Sequence, residues 1–282
     1  MNSEVVRLYE AYPENLNVEQ RINTLLDIFK RIDPENYNHA QEVAQMAVHF
    51  ADCVVQTIDI PPSDYKTWEY LDPQRVHRAG MLHDIGSAKL PKNLLFKTGS
   101  FTDAERMAVE RVPAHSAHIL SNIPGFEWLP QMVSRVHSSG EPEGSEANRE
   151  FAEDAQVMGI SIVFEACIHK RPDREAMTGH QALEELITHK FGFSNQIIKA
   201  MIKTFSVYPF NEFVVLNTGE IGQVVDIHRE NPMRPTVRVL FTADRKAYSD
   251  HRAVDLAQNS SVHIARAITW RELTSMVATA AG

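Results

Sequence analysis

The chain has 282 residues, 43% of them hydrophobic and 23% charged, an ordinary globular balance with ample material for a buried core. Its formal net charge is -9 with the histidines neutral, which argues against bulk nucleic-acid binding but leaves room for a small anion in a local basic or metal-lined pocket. The longest apolar stretches, such as residues 160–168, are broken by Ser161 and Glu165 and fall short of the ~20 residues that span a bilayer, so no membrane partner is expected.

Residues 1–16 form a polar lead-in without the charged-then-apolar form of a signal peptide, which points to a cytoplasmic chain. Val18, Ile22, Leu25, Leu26 and Phe29 then recur at helical spacing through residue 32. Asp33-Pro34 reads as an N-cap followed by proline at the first helical position. The helix it starts carries Val43, Met46, Ala47, Phe50 and Val54 on one face and stops before Pro61-Pro62. Asp72-Pro73 repeats the start signal. That helix runs through Val76, Ala79, Gly80 and Leu82 to His83-Asp84-Ile85-Gly86, with Gly86 expected as its stop. Thr102 and Glu105 form a capping box, and Pro113 is expected to bend or end the helix that follows. Further helices are predicted near 116–121, 127–139, 148–169, 180–190 and 194–206.

After Tyr208-Pro209 the texture changes to short β-rich runs at 213–216, 222–227, 236–241 and 262–265, with turns at Gly219 and Asn231-Pro232. The expected class is mainly α: a helical body over 17–207 and a small β-rich subdomain over 208–282. Cys53 and Cys167 each lie in an apolar helical pattern with no second thiol nearby, which predicts buried reduced thiols.

Chemistry concentrates in the first helices. Glu35 and His39 are four apart, on one helix face, and could present a carboxylate and an imidazole to one metal; Glu35 could equally answer the helix dipole. His83-Asp84 stands where an apolar approach ends and the chain breaks, so a titratable pair there needs a hydrogen-bond network or a metal. Imidazole with carboxylate suits Fe, Mn, Zn or Mg. Arg171 and Arg174 could fork a phosphate or cap a helix end with surface ion pairs. His115 and His118, three apart, could reach one site.

Leu82-His83-Asp84-Ile85-Gly86 resembles the LHDIG signature of the HD superfamily of metal-dependent phosphohydrolases. The likeness is closest to the HD-GYP branch, whose members are associated with hydrolysis of cyclic di-GMP, and it extends over about residues 25–268. Glu35 and His39 fall where that branch places a glutamate and a histidine on an early helix. Lys89-Leu90-Pro91 through Gly99 resembles its linker, and Pro113, His115-Ser116 and Ile119-Leu120 resemble its "HP-x-HS-x-x-IL" segment. Arg171-Pro172 and Arg174 echo its "RPYR" run. The resemblance implies an HD helical bundle, a divalent metal held by Glu35, His39, His83, Asp84 and His137, and a cyclic dinucleotide as ligand. Asp84 would hold metal and orient, or take a proton from, the attacking water. Arg171 and Arg174 would meet substrate phosphate.

The chain departs from the pattern at several positions. Val112 replaces a ligand histidine, and the double histidine is reduced to His137 preceded by Val136. Ile162 stands at a ligand aspartate, and Ser87 replaces the lysine after HDIG. Glu143-Gly144-Ser145 is all that remains of a "DGSGYP" loop. Valine and isoleucine bind no metal, so the expectation is one ion or none, with reduced or absent hydrolysis. The alternative is an inactive nucleotide-binding or protein-interaction module in signalling. This sequence carries no fused receiver or membrane sensor, which implies an input from a signalling protein partner.

Overall fold

The computed structural model describes residues 16–56, 71–121, 123–136, 152–169, 175–189, 193, 195–248 and 252–280. The chain divides into two compact units, one comprising residues 1–162 with 191–193 and the other 163–190 with 194–282. No helix among the described residues is long and apolar enough to cross a membrane.

The first unit opens with α1 (Val18–Ile32), started by a reciprocal capping box between Asn17 and Gln20. Its buried stripe is Ile22, Leu25, Ile28, Phe29 and Ile32. Helix α2 (Pro34–Gln56) starts at Asp33, whose Oδ1 accepts the Asn36 N–H at 3.2 Å, and buries Val43, Ala47, Phe50 and Val54. Helix α3 (Pro73–Leu82) is capped by Asp72, which accepts from Gln74 and Arg75 N–H. The cap is itself pinned: Asp72 N–H donates to Asp154 Oδ1 at 2.9 Å, and Arg75 Nε donates to Asp154 Oδ2 at 2.7 Å. Asp154 is fully buried on α8 (Ala152–Ile168), and burial pushes its carboxyl above the usual range against the pull of those donors.

Helices α2 and α3 approach closely and run antiparallel. A Cβ on Gly80 would lie 2.7 Å from Ala44 Cα, so the contact admits no side chain. The chain then turns through His83-Asp84 into a 3₁₀ turn (Ile85–Lys89), a short α4 (Lys92–Leu95) and α5 (Asp103–Val109) with its Thr102–Glu105 capping box. Two sequence expectations change here. Gly86 does not stop α3, which ends at Leu82; it lies inside the 3₁₀ turn. Helix α5 does end ahead of Pro113, at Val109, but the proline itself sits in the first turn of α6 (Val112–Leu120), where its missing N–H costs nothing. Helix α7 (Trp128–Val136) follows.

The second unit holds α9 (Gly179–His189), α10 (Asn195–Phe205), a five-stranded antiparallel sheet and α11 (Trp270–Ala280). The strands are β1 (Phe213–Leu216), β2 (Ile221–Asp226), β3 (Thr236–Phe241), β4 (Ala253–Asp255) and β5 (Ile264–Ile268), in the order β4-β3-β2-β1-β5. Val214 and Leu216 join Val224, Val237, Val239 and Leu256 in one core, while Phe213 and Val215 face a second core with Ile221, Ile268 and Leu273 of α11. The unbroken Phe-Val-Val-Leu run is therefore a strand with both faces covered. The sequence reading had no helix after residue 265. The signal was present, because Thr269 and Glu272 form a capping box ahead of α11. Cys53 and Cys167 are both free and buried.

Candidate metal centre

His39 lies one turn into α2, and His83-Asp84 sits at the break after α3. The Gly80–Ala44 contact draws these helices together, so donor atoms of His39, His83 and Asp84 all fall within 4.8 Å of one another. The Asp84 carboxylate lies 3.3 Å from His83 Nε2 and 4.0 Å from His39 Nε2, and the two rings meet edge to face at 5.5 Å. Donor atoms each about 2.0–2.2 Å from a shared ion sit about 3–4 Å apart, so both separations suit one ion.

The protonation of His83 follows from its partner. Its Nδ1 lies 2.7 Å from the Gly80 carbonyl oxygen, which can only accept, so Nδ1 carries the proton. The Nε2 lone pair is then turned toward the Asp84 carboxylate. Two lone-pair atoms at 3.3 Å repel unless a cation or proton lies between them. With His83 fully buried and Asp84 partly exposed, the arrangement is that of a ligand fixed from behind by a backbone carbonyl and open to solvent on one side.

The surrounding turn is held by polar contacts that local patterns do not reveal. Ser87, at the position where a lysine was expected by resemblance, is buried and donates its hydroxyl to Asp33 Oδ2 at 2.7 Å. Asn36 Nδ2 donates to the same oxygen at 2.6 Å. This ties the 3₁₀ turn to the start of the helix that carries His39. On the other side, Gly86 N–H donates to Ser116 Oγ at 2.8 Å, and Ser116 Oγ donates to the Val112 carbonyl. A Cβ on Gly86 would stand 2.2 Å from Val112 O and 2.5 Å from Ser116 N. Glycine is required there because the backbone of α6 lies directly against the turn.

Of the residues singled out from the sequence, His39, His83 and Asp84 come together. Glu35 is exposed in the first turn of α2 and is outside the group of three. His137, Arg171 and Arg174 lie outside the described residues. Val112 opens α6 and is buried, with its carbonyl against the turn, and Ile162 is half-buried on α8. Asp154 on α8 is committed to Arg75 and the α3 cap. Sequence reasoning identified Asp33 as a cap but missed its pairing with Ser87, 54 residues away, which no local signal encodes.

Residues 63–191 match the HD domain family, and residues 213–276 match the KOW domain associated with HD domain. The chain is 26% identical over 243 residues to a cyclic di-GMP phosphodiesterase of Pseudomonas aeruginosa, covering 84% of this chain and 56% of that protein. It is 21% identical over 207 residues to a 3'3'-cGAMP-specific phosphodiesterase of Vibrio cholerae, covering 70% of this chain and 45% of that one. The chain thus spans about half the length of these curated relatives. Among solved structures, the HD domain of the L. monocytogenes phosphodiesterase PgpH in complex with cyclic-di-AMP aligns with 64% of this chain and 93% of its own, at a TM-score of 0.47 and 16% identity. The HDIG turn lies in the stretch that matches the HD domain family, and the antiparallel sheet lies in the stretch that matches the KOW domain associated with HD domain.

Proposed function

We propose that this protein is an HD-GYP-like member of the cyclic dinucleotide phosphodiesterase class with an incomplete metal site, whose hydrolysis is reduced or absent. The observation that carries the reading is the convergence of His39, His83 and Asp84 donor atoms within 4.8 Å. Three donors fit one divalent ion with open positions for water and a phosphoryl oxygen. Such an ion, when bound, acidifies a water and neutralises phosphoryl charge. His83 holds its lone pair in place through the Gly80 carbonyl, and His39 supplies the second imidazole from the facing helix. Asp84 is partly exposed and can orient a water and receive its proton. Relatives that are named cyclic di-GMP and 3'3'-cGAMP phosphodiesterases support the substrate class.

A second reading, an inactive nucleotide-binding or protein-interaction module, is favoured by Val112 and Ile162 at two positions where the resemblance places metal ligands, and by Glu35 lying outside the trio. One experiment separates the two. The protein is purified without chelator, metal per chain is counted, and cyclic di-GMP and 3'3'-cGAMP are assayed with added Mn²⁺ or Fe²⁺. About one ion per chain, with slow turnover lost in His83→Ala and Asp84→Ala, supports the enzyme. Nucleotide binding without metal or turnover supports the module, and absence of metal, turnover and nucleotide binding rejects the cyclic-dinucleotide reading.

A further inference from the structure

The antiparallel sheet presents a row of side chains that its own cores only partly use. Residues directly opposite each other on paired strands share a face. The register pairs Ile268 with Phe213, Phe213 with Gln223, Gln223 with Arg238 and Arg238 with Ala253, so these residues form one row from β5 to β4. Their chain neighbours Val214, Val224 and Val237 point to the opposite face and its core. At the β5 end of the row, Ile268 and Phe213 pack with Leu273, Met276 and Val277 of α11. Beyond them the cover stops: Gln223 is half-buried, and Arg238 and Ala253 are exposed.

Two side chains give this row a chemistry. Trp270, the first residue of α11, is 65% exposed, and its ring stands 5.5 Å from that of Phe213. An exposed indole beside a second ring offers a flat apolar face for stacking. Among the described residues, Arg238 forms no ion pair or hydrogen bond through its side chain, whereas Arg266 on the same face is held by Glu272. Adjacent strands lie about 4.8 Å apart, so Arg238 stands about 10 Å from Phe213 across the sheet. That span suits a ligand in which a sugar separates a flat ring from an anion. Gln223 lies between them; its amide nitrogen donates to Asn211 O at 3.3 Å, which leaves its oxygen to accept from N–H groups on the ring.

The sheet also bounds the ligand. In the next row of the same face, Thr236 pairs with Asp226 and Asp255 on either side. Two carboxylates beside Arg238 repel a second phosphate, and the chain carries a formal net charge of -9. One phosphate is accommodated and an extended polyanion is not.

We infer that Trp270, Phe213, Gln223 and Arg238 form a binding site for a purine mononucleotide, with the base stacked on Trp270 and the phosphate forked by Arg238. The site lies wholly on the sheet and α11 and does not depend on the proposed hydrolysis.

The test titrates GMP into the full chain in chelator, with affinity read by calorimetry and tryptophan fluorescence followed in parallel. The wild type should bind with a Kd of about millimolar or tighter, and its fluorescence should be quenched. Trp270→Ala should weaken binding about tenfold and remove the quenching, whereas Trp270→Phe should keep the affinity within about threefold and still lose the quenching. Arg238→Gln should weaken GMP about tenfold and leave the weaker binding of guanosine unchanged. Melting temperatures should not move, because Trp270 and Arg238 are exposed. Absence of GMP binding, or wild-type affinity in Trp270→Ala or Arg238→Gln, overturns the site. Quenching retained in Trp270→Phe overturns it too, because the base would then meet another tryptophan. Equal losses of GMP and guanosine in Arg238→Gln would remove the guanidinium from the phosphate. Asp84→Asn should bind GMP as the wild type does; a loss there would place the nucleotide at the metal centre instead. An oligoribonucleotide that binds more than about tenfold more tightly than GMP would overturn the mononucleotide in favour of a nucleic-acid strand.

Discussion

His83 carries its proton on Nδ1 because the Gly80 carbonyl 2.7 Å away can only accept it, and this leaves its Nε2 lone pair against the Asp84 carboxylate at 3.3 Å. That contact predicts an unusual response to Asp84→Asn. In chelator-treated protein the amide can donate to Nε2, so the variant should be more stable than the wild type by about 1 kcal/mol. Added Mn²⁺ or Zn²⁺ should raise the wild-type melting temperature, since a ligand that binds only the folded state stabilises it, and should barely move the variant. An Asp84→Asn protein that melts lower than the wild type in chelator would refute the lone-pair clash. Ser87 gives a second residue-scale prediction. Ser87→Ala removes a buried donor from the Asp33 carboxylate at a cost of about 1–3 kcal/mol, read by urea titration, and should weaken metal binding because His39 sits on the helix that Asp33 starts. Unchanged stability would show that the hydroxyl is dispensable. His83-Asp84 stood out in the sequence as an adjacent polar pair at the end of an apolar approach. The Ser87–Asp33 bond did not, because it links two segments with no shared periodicity.

Among the elements, the close approaches at Gly80 and Gly86 set where the donors stand. Helices α2 and α3 meet where Gly80 faces Ala44, and α6 lies flush on the 3₁₀ turn at Gly86. Gly86→Ala should be the more damaging substitution, because its Cβ would stand 2.2 Å from Val112 O and 2.5 Å from Ser116 N, tighter than the 2.7 Å between a Cβ at Gly80 and Ala44 Cα. A loss of about 3 kcal/mol in urea titration is expected, together with the Gly86–Ser116 hydrogen bond. Gly80→Ala should cost less overall but part α2 from α3, lowering metal affinity more than stability. Equal losses of both would contradict a positioning role for that contact. The starts of α2, α3 and α5 were legible in the sequence as Asp33, Asp72 and Thr102, since a cap is a local hydrogen bond between neighbours. The role of Gly86 was misread as a helix stop for the complementary reason: what it needs space for is 26 residues further on, at Val112.

Across the whole molecule, stability should depend on pH through buried carboxyls. In the second unit, Glu212 accepts the N–H groups of Gly179 and His180 at the start of α9, and burial pushes it from 4.5 to about 7 despite those bonds. A raised acid holds its proton more tightly in the folded state, so its stabilisation is complete below about 4.5 and is lost as pH rises through about 7. The loss is of order 3 kcal/mol. Asp154 in the first unit is also raised by burial and acts with the same sign. Melting curves between pH 5 and about 8 should therefore decline, and Glu212→Gln should flatten the decline. An unchanged slope in that variant would remove Glu212 as its source.

The sequence by itself determined the mainly helical body, the β-rich tail, most helix starts and the HD signature, because periodicity, caps and short motifs are written in neighbouring residues. It overlooked α11, although Thr269 and Glu272 announced it. Only the tertiary structure decided which donors converge. Glu35 and His39 share a helix and were equal candidates, yet His39 meets His83 and Asp84 while Glu35 is exposed to solvent. Convergence depends on how closely α2 and α3 approach and on what locks the turn, and both are set by contacts across tens of residues, Gly80 with Ala44 and Ser87 with Asp33.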